Sequence, residues 1–85
     1  MKLNILTPEG SIFSGDAYGV QMPGVTGSFE VLDKHAPLIA ALAEGKLKVL
    51  QTSLNGPAAF YNILGGFVEV LNNNVTVLVE GAKEV

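Results

Sequence analysis

Cysteine, tryptophan and arginine are all absent from this sequence, and charged residues make up only 15% of it. Each gap removes a class of function. Without cysteine there is no disulfide framework and no thiolate metal site, so 85 residues must hold a fold by packing alone. A chain of that length buries about 60–65% of its unfolded surface. Without arginine there is no planar fork for phosphates or guanine edges, and five lysines against eight carboxylates leave a net charge of −3. No basic stripe suited to nucleic acid or to an anionic membrane stands out. No apolar run approaches the roughly 20 residues of a membrane helix. The polar, alternating start Met1-Lys2-Leu3-Asn4-Ile5-Leu6 is no signal peptide. The expectation is a soluble, intracellular chain without direct membrane insertion.

What is abundant is apolar: 48% of the residues are hydrophobic, which suits one folded domain spanning residues 1–85. So few charges point to a surface partly covered in use, although composition alone equally fits a monomer with a rich core. The dominant period is two. Leu3 and Ile5 oppose Lys2 and Asn4; Tyr18, Val20 and Met22 alternate with Gly19 and Gln21; Phe29 and Val31 bracket Glu30; Leu47 and Val49 alternate with Lys46 and Lys48. Val75, Val77 and Val79 alternate with Thr76 and Leu78, the latter implying a strand covered on both faces.

Turn residues separate these runs at Pro8-Glu9-Gly10, Ser14-Gly15-Asp16, Pro23-Gly24, Ser53–Pro57, Gly65-Gly66 and Asn72-Asn73-Asn74. Asn55-Gly56 predicts a hairpin between Lys46–Thr52 and Ala58–Leu64, and the asparagine run predicts another between Phe67–Leu71 and Val75–Val79. Ala36–Ala43 has helix-friendly alanines, yet its neighbours favour a buried strand. Strands so closely spaced predict an all-β fold, a two-sheet β-sandwich of about ten short strands.

Catalytic groups do not converge in the sequence. His35 is the only histidine, and His35-Ala36-Pro37 reads as a turn in which the ring donates a structural hydrogen bond. The eight carboxylates are scattered singly, no Gly-x-Ser-x-Gly elbow occurs, and Gly65-Gly66 lacks the lysine of a phosphate loop. The expectation is a non-enzyme with no metal site, no cofactor and no nucleotide site. Two alternatives stay open. One is a sugar- or lipid-binding module using Phe13, Tyr18, Phe29, Phe60, Tyr61 or Phe67 as an aromatic platform. The other, more remote, is a minimal hydrolase built on His35 and a nearby carboxylate.

Two stretches are more specific. Val20-Gln21-Met22-Pro23-Gly24-Val25-Thr26-Gly27-Ser28-Phe29 leads to His35-Ala36-Pro37-Leu38, and Gly65-Gly66-Phe67-Val68-Glu69-Val70 leads to Asn74-Val75-Thr76-Val77-Leu78. In this order, with Thr7-Pro8-Glu9 and Phe13-Ser14-Gly15 before them, they resemble the epsilon subunit of F-type ATP synthases, called delta in mitochondria. The resemblance implies a ten-stranded sandwich at the foot of the central stalk. It implies a non-catalytic rotor part joining the gamma subunit to the ring of c subunits, peripheral at the cytoplasmic face of the bacterial inner membrane.

By the same resemblance, Pro23, Gly24, Val25, Thr26, Gly27, Ser28 and Phe29 form the loop that meets the c ring, and Thr7, His35 and Ala40 belong to the gamma-facing region. This sequence departs from the family's pattern in having Thr26 and Ser28 where many members have acids, Glu30 where they have glycine, and Asp33-Lys34 for Pro-Gly. Ring contact is therefore expected to rest on backbone hydrogen bonds with Val25 and Phe29, and to depend weakly on salt. Typical members continue into a C-terminal helical hairpin. The sequence stops at Ala82-Lys83-Glu84-Val85, either as a naturally short form or as a piece cut from a longer chain, and the expectation is that these residues couple without inhibiting hydrolysis or binding nucleotide.

Overall fold

A computed structural model describes all residues from Met1 to Val85. Ten strands follow one another: β1 (Lys2–Thr7), β2 (Gly10–Asp16), β3 (Gly19–Gly24), β4 (Gly27–Leu32), β5 (Leu38–Leu42), β6 (Gly45–Leu50), β7 (Ala58–Ile63), β8 (Gly66–Leu71), β9 (Asn74–Val79) and β10 (Ala82–Glu84). They make two five-stranded layers, β10-β7-β6-β3-β4 and β5-β8-β9-β1-β2. No helix is present, and hence none long and apolar enough to cross a membrane.

The layers are one folded sheet, joined at a corner. Gly24 of β3 pairs with Leu42 of β5, the Val25 N–H donates to the Ala41 carbonyl (3.2 Å), and the Ala43 N–H donates to the Pro23 carbonyl (2.7 Å). All ladders are antiparallel except β1 beside β9, which run parallel from Lys2↔Asn74 to Leu6↔Leu78. The period-two pattern decides what lies between the layers. Leu3, Ile5, Val68, Val70, Val75 and Val77 face inward from one layer; Val20, Met22, Val31, Leu47, Val49 and Ile63 face them from the other, all essentially inaccessible to water.

The expected sandwich is present, with several local differences. Ala36–Ala43 yields the expected strand, Leu38–Leu42, but it is not buried along its length, with Ile39 74% exposed. The β8–β9 hairpin forms as expected because Asn72 (φ 51°) and Asn73 (φ 63°) tolerate the left-handed positions of a two-residue hairpin turn. Asn55-Gly56 does not do the same. Neither residue takes a positive φ, and β6 and β7 are joined by the longer loop Gln51–Pro57, closed by Gln51 N–H to Pro57 carbonyl (3.2 Å). Ser14-Gly15-Asp16 lies within β2, where φ 158° at Gly15 is extended backbone, and the chain reverses at Ala17-Tyr18 instead.

Leu78 is the largest departure: only one face of β9 is covered, and Leu78 is 52% exposed. Alternation alone does not distinguish a covered outer leucine from one waiting for a partner. At the end of the sandwich away from the β3–β4 hairpin, Asn73 ties three segments. Its Nδ2 donates to Asp33 Oδ1 (2.9 Å), and its Oδ1 accepts the Lys34 N–H (2.7 Å), holding Lys34 at φ 64°. The Met1 ammonium donates to the same Asp33 oxygen (3.0 Å) and to the Ala17 carbonyl.

Candidate partner-binding surfaces

The β3–β4 hairpin carries the loop singled out in the sequence. Gly24 pairs with Gly27 across a two-residue turn of Val25 and Thr26, and Gly27 takes φ 132°, a value suited to glycine. Gly24 is required for a second reason. A Cβ there would sit 2.6 Å from the Gly27 carbonyl oxygen and 2.9 Å from the Phe29 ring. The ring occupies that space and packs on the core, so Phe29 is half-buried. Val25, 63% exposed, is the apolar group that the hairpin tip offers. Its neighbouring acids are engaged elsewhere: Glu30 Oε2 accepts from Gln21 Nε2 (2.7 Å), and Asp33 belongs to the Asn73 network at the opposite end.

Where the layers splay from their corner, β4 and β5 leave a cleft of about 550 Å3. The residues Val25 to Phe29 line it together with His35, Leu38 and Ala40. Two of the three residues of the second candidate group thus lie against the first group. His35 is exposed, and its Nδ1 lies 2.7 Å from the Ala36 carbonyl. A carbonyl only accepts, so Nδ1 carries a proton, in keeping with the structural hydrogen bond expected at this turn. No carboxylate lines the cleft.

Thr7 lies elsewhere. Its hydroxyl donates to the Gly10 carbonyl (3.2 Å) and accepts the Glu9 N–H (3.2 Å), closing the β1–β2 turn. It borders an open groove of about 630 Å3 on the outer face of the layer holding β8 and β9. The register explains that groove. Ala41 pairs with Phe67, Phe67 with Leu78, and Leu78 with Leu6, so four outward side chains form one apolar row across β5, β8, β9 and β1. Phe67 is 59% exposed, and Leu64 (60%) overhangs the same groove. Ala41 borders both groove and cleft, so the row runs from Thr7 to the Ala40–His35 region.

Sequence reasoning missed Leu6, Leu64 and Leu78 as surface residues and took Phe67 only as one aromatic of a possible ligand platform; for Leu6, Phe67 and Leu78 the signal was an apolar residue at the polar phase of β1, β8 and β9. Nor do the aromatics make a ligand platform. Phe60 and Phe67 stand on the outer faces of opposite layers, while Tyr61 is buried within.

Comparison with known proteins agrees with this geometry. The family model for the beta-sandwich domain of the ATP synthase Delta/Epsilon chain matches residues 1–85. The chain belongs to this family. The ATP synthase epsilon chain of Salinibacter ruber is 43% identical over 94% of this chain and 58% of its own length. That of Chlorobium limicola is 39% identical over 93% of this chain and 88% of its own. The chain thus spans little more than half of the Salinibacter relative and nearly all of the Chlorobium one. Among solved structures, a chain of the Tetrahymena thermophila mitochondrial ATP synthase central stalk and c-ring superposes with a TM-score of 0.84 at 21% identity, covering 98% of this chain and 65% of its own. One from the Euglena gracilis mitochondrial enzyme gives 0.88 at 24% identity, over 96% and 51%. The epsilon-type sandwich therefore persists where sequence identity is low.

Proposed function

We propose that this chain is a non-catalytic rotor subunit of an F-type ATP synthase, coupling the gamma subunit of the central stalk to the c ring during proton-driven ATP synthesis. It works at the cytoplasmic face of a bacterial inner membrane as a peripheral part of the complex. The observation that carries the reading is the apolar row Ala41–Phe67–Leu78–Leu6 on the outside of a sandwich whose core is already complete. An exposed contiguous row of that kind favours a protein partner.

In this reading gamma covers the row and its two ends, Thr7 on one side and His35 with Ala40 on the other. The ring meets Pro23, Gly24, Val25, Thr26, Gly27, Ser28 and Phe29, with Val25 at the tip as the apolar contact. Both partners then meet at the corner where the layers join, which supports a coupling role: load received at the hairpin passes through Gly24–Leu42 into the gamma-facing layer. The experiment is disulfide trapping in the assembled enzyme. Val25→Cys should cross-link to cysteines in the polar loops of c, and Leu78→Cys to gamma. Cross-linking of both positions to a single partner would overturn the assignment of faces.

A further inference from the structure

We propose that the outer face of the layer holding β6, β7 and β10 docks an acidic helix of a partner protein, separate from the ring and gamma surfaces above. Three of the five lysines gather there. Lys46 and Lys48 alternate outward along β6, and Lys83 on β10 lies across Asn62 of β7 from Lys46. The ammonium groups of Lys46 and Lys48 lie 5.7 and 5.6 Å from the centroid of one ring, Phe60. Two like charges are thus held over a shared aromatic face. None of the three lysines has a carboxylate within ion-pair distance; the single ion pair of the molecule joins Met1 and Asp33. Glu30, the acid on this face, bonds to Gln21. A chain of net charge −3 therefore presents one face of positive sign, with its countercharge supplied from outside.

The spacing selects the occupant. Residues two apart on a strand are separated by about 6.7 Å, and two strand intervals span about 10 Å. A helix repeats side chains at i and i+4 about 6 Å apart along its axis, and at i and i+7 about 10.5 Å. A helix lying along β6 sets carboxylates at i and i+4 over Lys46 and Lys48, one lying across the strands sets those at i and i+7 over Lys46 and Lys83, and a helix is a regular covering for a sheet face. Phosphate recognition is disfavoured, since the face has no arginine fork, glycine-rich loop or helix terminus. A membrane is disfavoured because Phe60 is half-buried beneath the lysine stems and does not protrude into hydrocarbon.

The test is an NMR titration of the 15N-labelled chain with an alanine-based helical peptide carrying glutamates at i, i+4 and i+7. Arms with the glutamine version, with inorganic phosphate and with phosphatidylglycerol vesicles run in parallel. Saturable shifts at Lys46, Lys48, Phe60, Asn62 and Lys83 are expected with the glutamate peptide alone. Affinity should fall about tenfold or more in Lys46→Glu/Lys48→Glu, and detectably in Lys83→Gln, with both folds intact by circular dichroism. Shifts centred on Phe67 and Leu78, equal binding of the glutamine peptide, unchanged affinity in the variants, stronger binding of phosphate or vesicles, or no shift up to about 1 mM peptide would each overturn the proposal.

Discussion

Truncating the outer apolar row separates folding from docking. Phe67 and Leu78 are 59% and 52% exposed, so each contributes only part of its surface to the isolated fold. Burying a whole Phe or Leu side chain contributes about 1.5–3 kcal/mol, and docking has roughly half of that left to gain at each site, about 1 kcal/mol. Phe67→Ala/Leu78→Ala should then weaken binding to gamma by about 2 kcal/mol, or roughly thirtyfold, with hot-spot coupling able to enlarge it. The isolated chain should lose little, about 0.5 kcal/mol per site. Val77→Ala, one residue away but fully buried, should reverse the balance: a thermal midpoint lowered by several degrees, and gamma affinity nearly unchanged for the folded fraction. Calorimetric titration with purified gamma and thermal melts of the three proteins decide the matter. Unchanged affinity in Phe67→Ala/Leu78→Ala, with melts intact, would refute the assignment of gamma to this face.

Three other outcomes are expected. Gly66→Ala should destabilise the chain by about 3 kcal/mol in urea melts, because at φ 153° its Cβ would overlap the Leu78 carbonyl oxygen of the facing strand; a loss under 1 kcal/mol would show that β8 and β9 separate more easily than their register implies. Binding of the hairpin to isolated c rings should change less than about threefold between low and high salt, since Thr26 and Ser28 are uncharged and Glu30 is held by Gln21; a steep loss abolished by Glu30→Ala would contradict this. Asp33 has its pKa lowered below 3.8, first by the Asn73 hydrogen bond and then by that from the Met1 ammonium. A depressed folded value gives stability that is present above the unfolded pKa and lost as pH falls through the folded one, so acid melts below about pH 4 should be shallower in Asp33→Asn; an unchanged acid limb would remove Asp33 from the account.

How much of this was legible depends on the range of the interaction. The inward set, from Leu3 and Ile5 to Val75 and Val77, follows from period two, because a one-residue slip would turn every side chain over. Asn72-Asn73 and Asn55-Gly56 show the limit of local rules. Both favour positive φ, but only the first pair has strand partners in register on both sides, Leu71↔Asn74. The second sits in a loop whose ends are set by Gln51 and Pro57. Phe67 beside Leu78 follows from the expected Asn72-Asn73 hairpin, but the rest of the outward row was not legible. Leu78 meets Leu6 through a parallel ladder, and Phe67 meets Ala41 through the pairing of β5 with β8. Such neighbours exist only once pairing is known. The corner at Gly24 and Leu42 is likewise invisible in the motif, although it brings His35 and Ala40 beside the hairpin.

The parallel pairing of β1 with β9 sets a timetable for biosynthesis. Synthesis runs from Thr7 to Asn74 before β1 can acquire its second neighbour, which at ~5–20 residues per second takes about 3–13 s. During that interval the edge of β1 that β9 will cover is bare. Closing so large a loop last makes folding slow for its size and leaves the nascent chain open to wrong strand pairing. Residues up to Asn74 are thus synthesised before the first strand can find its permanent neighbour.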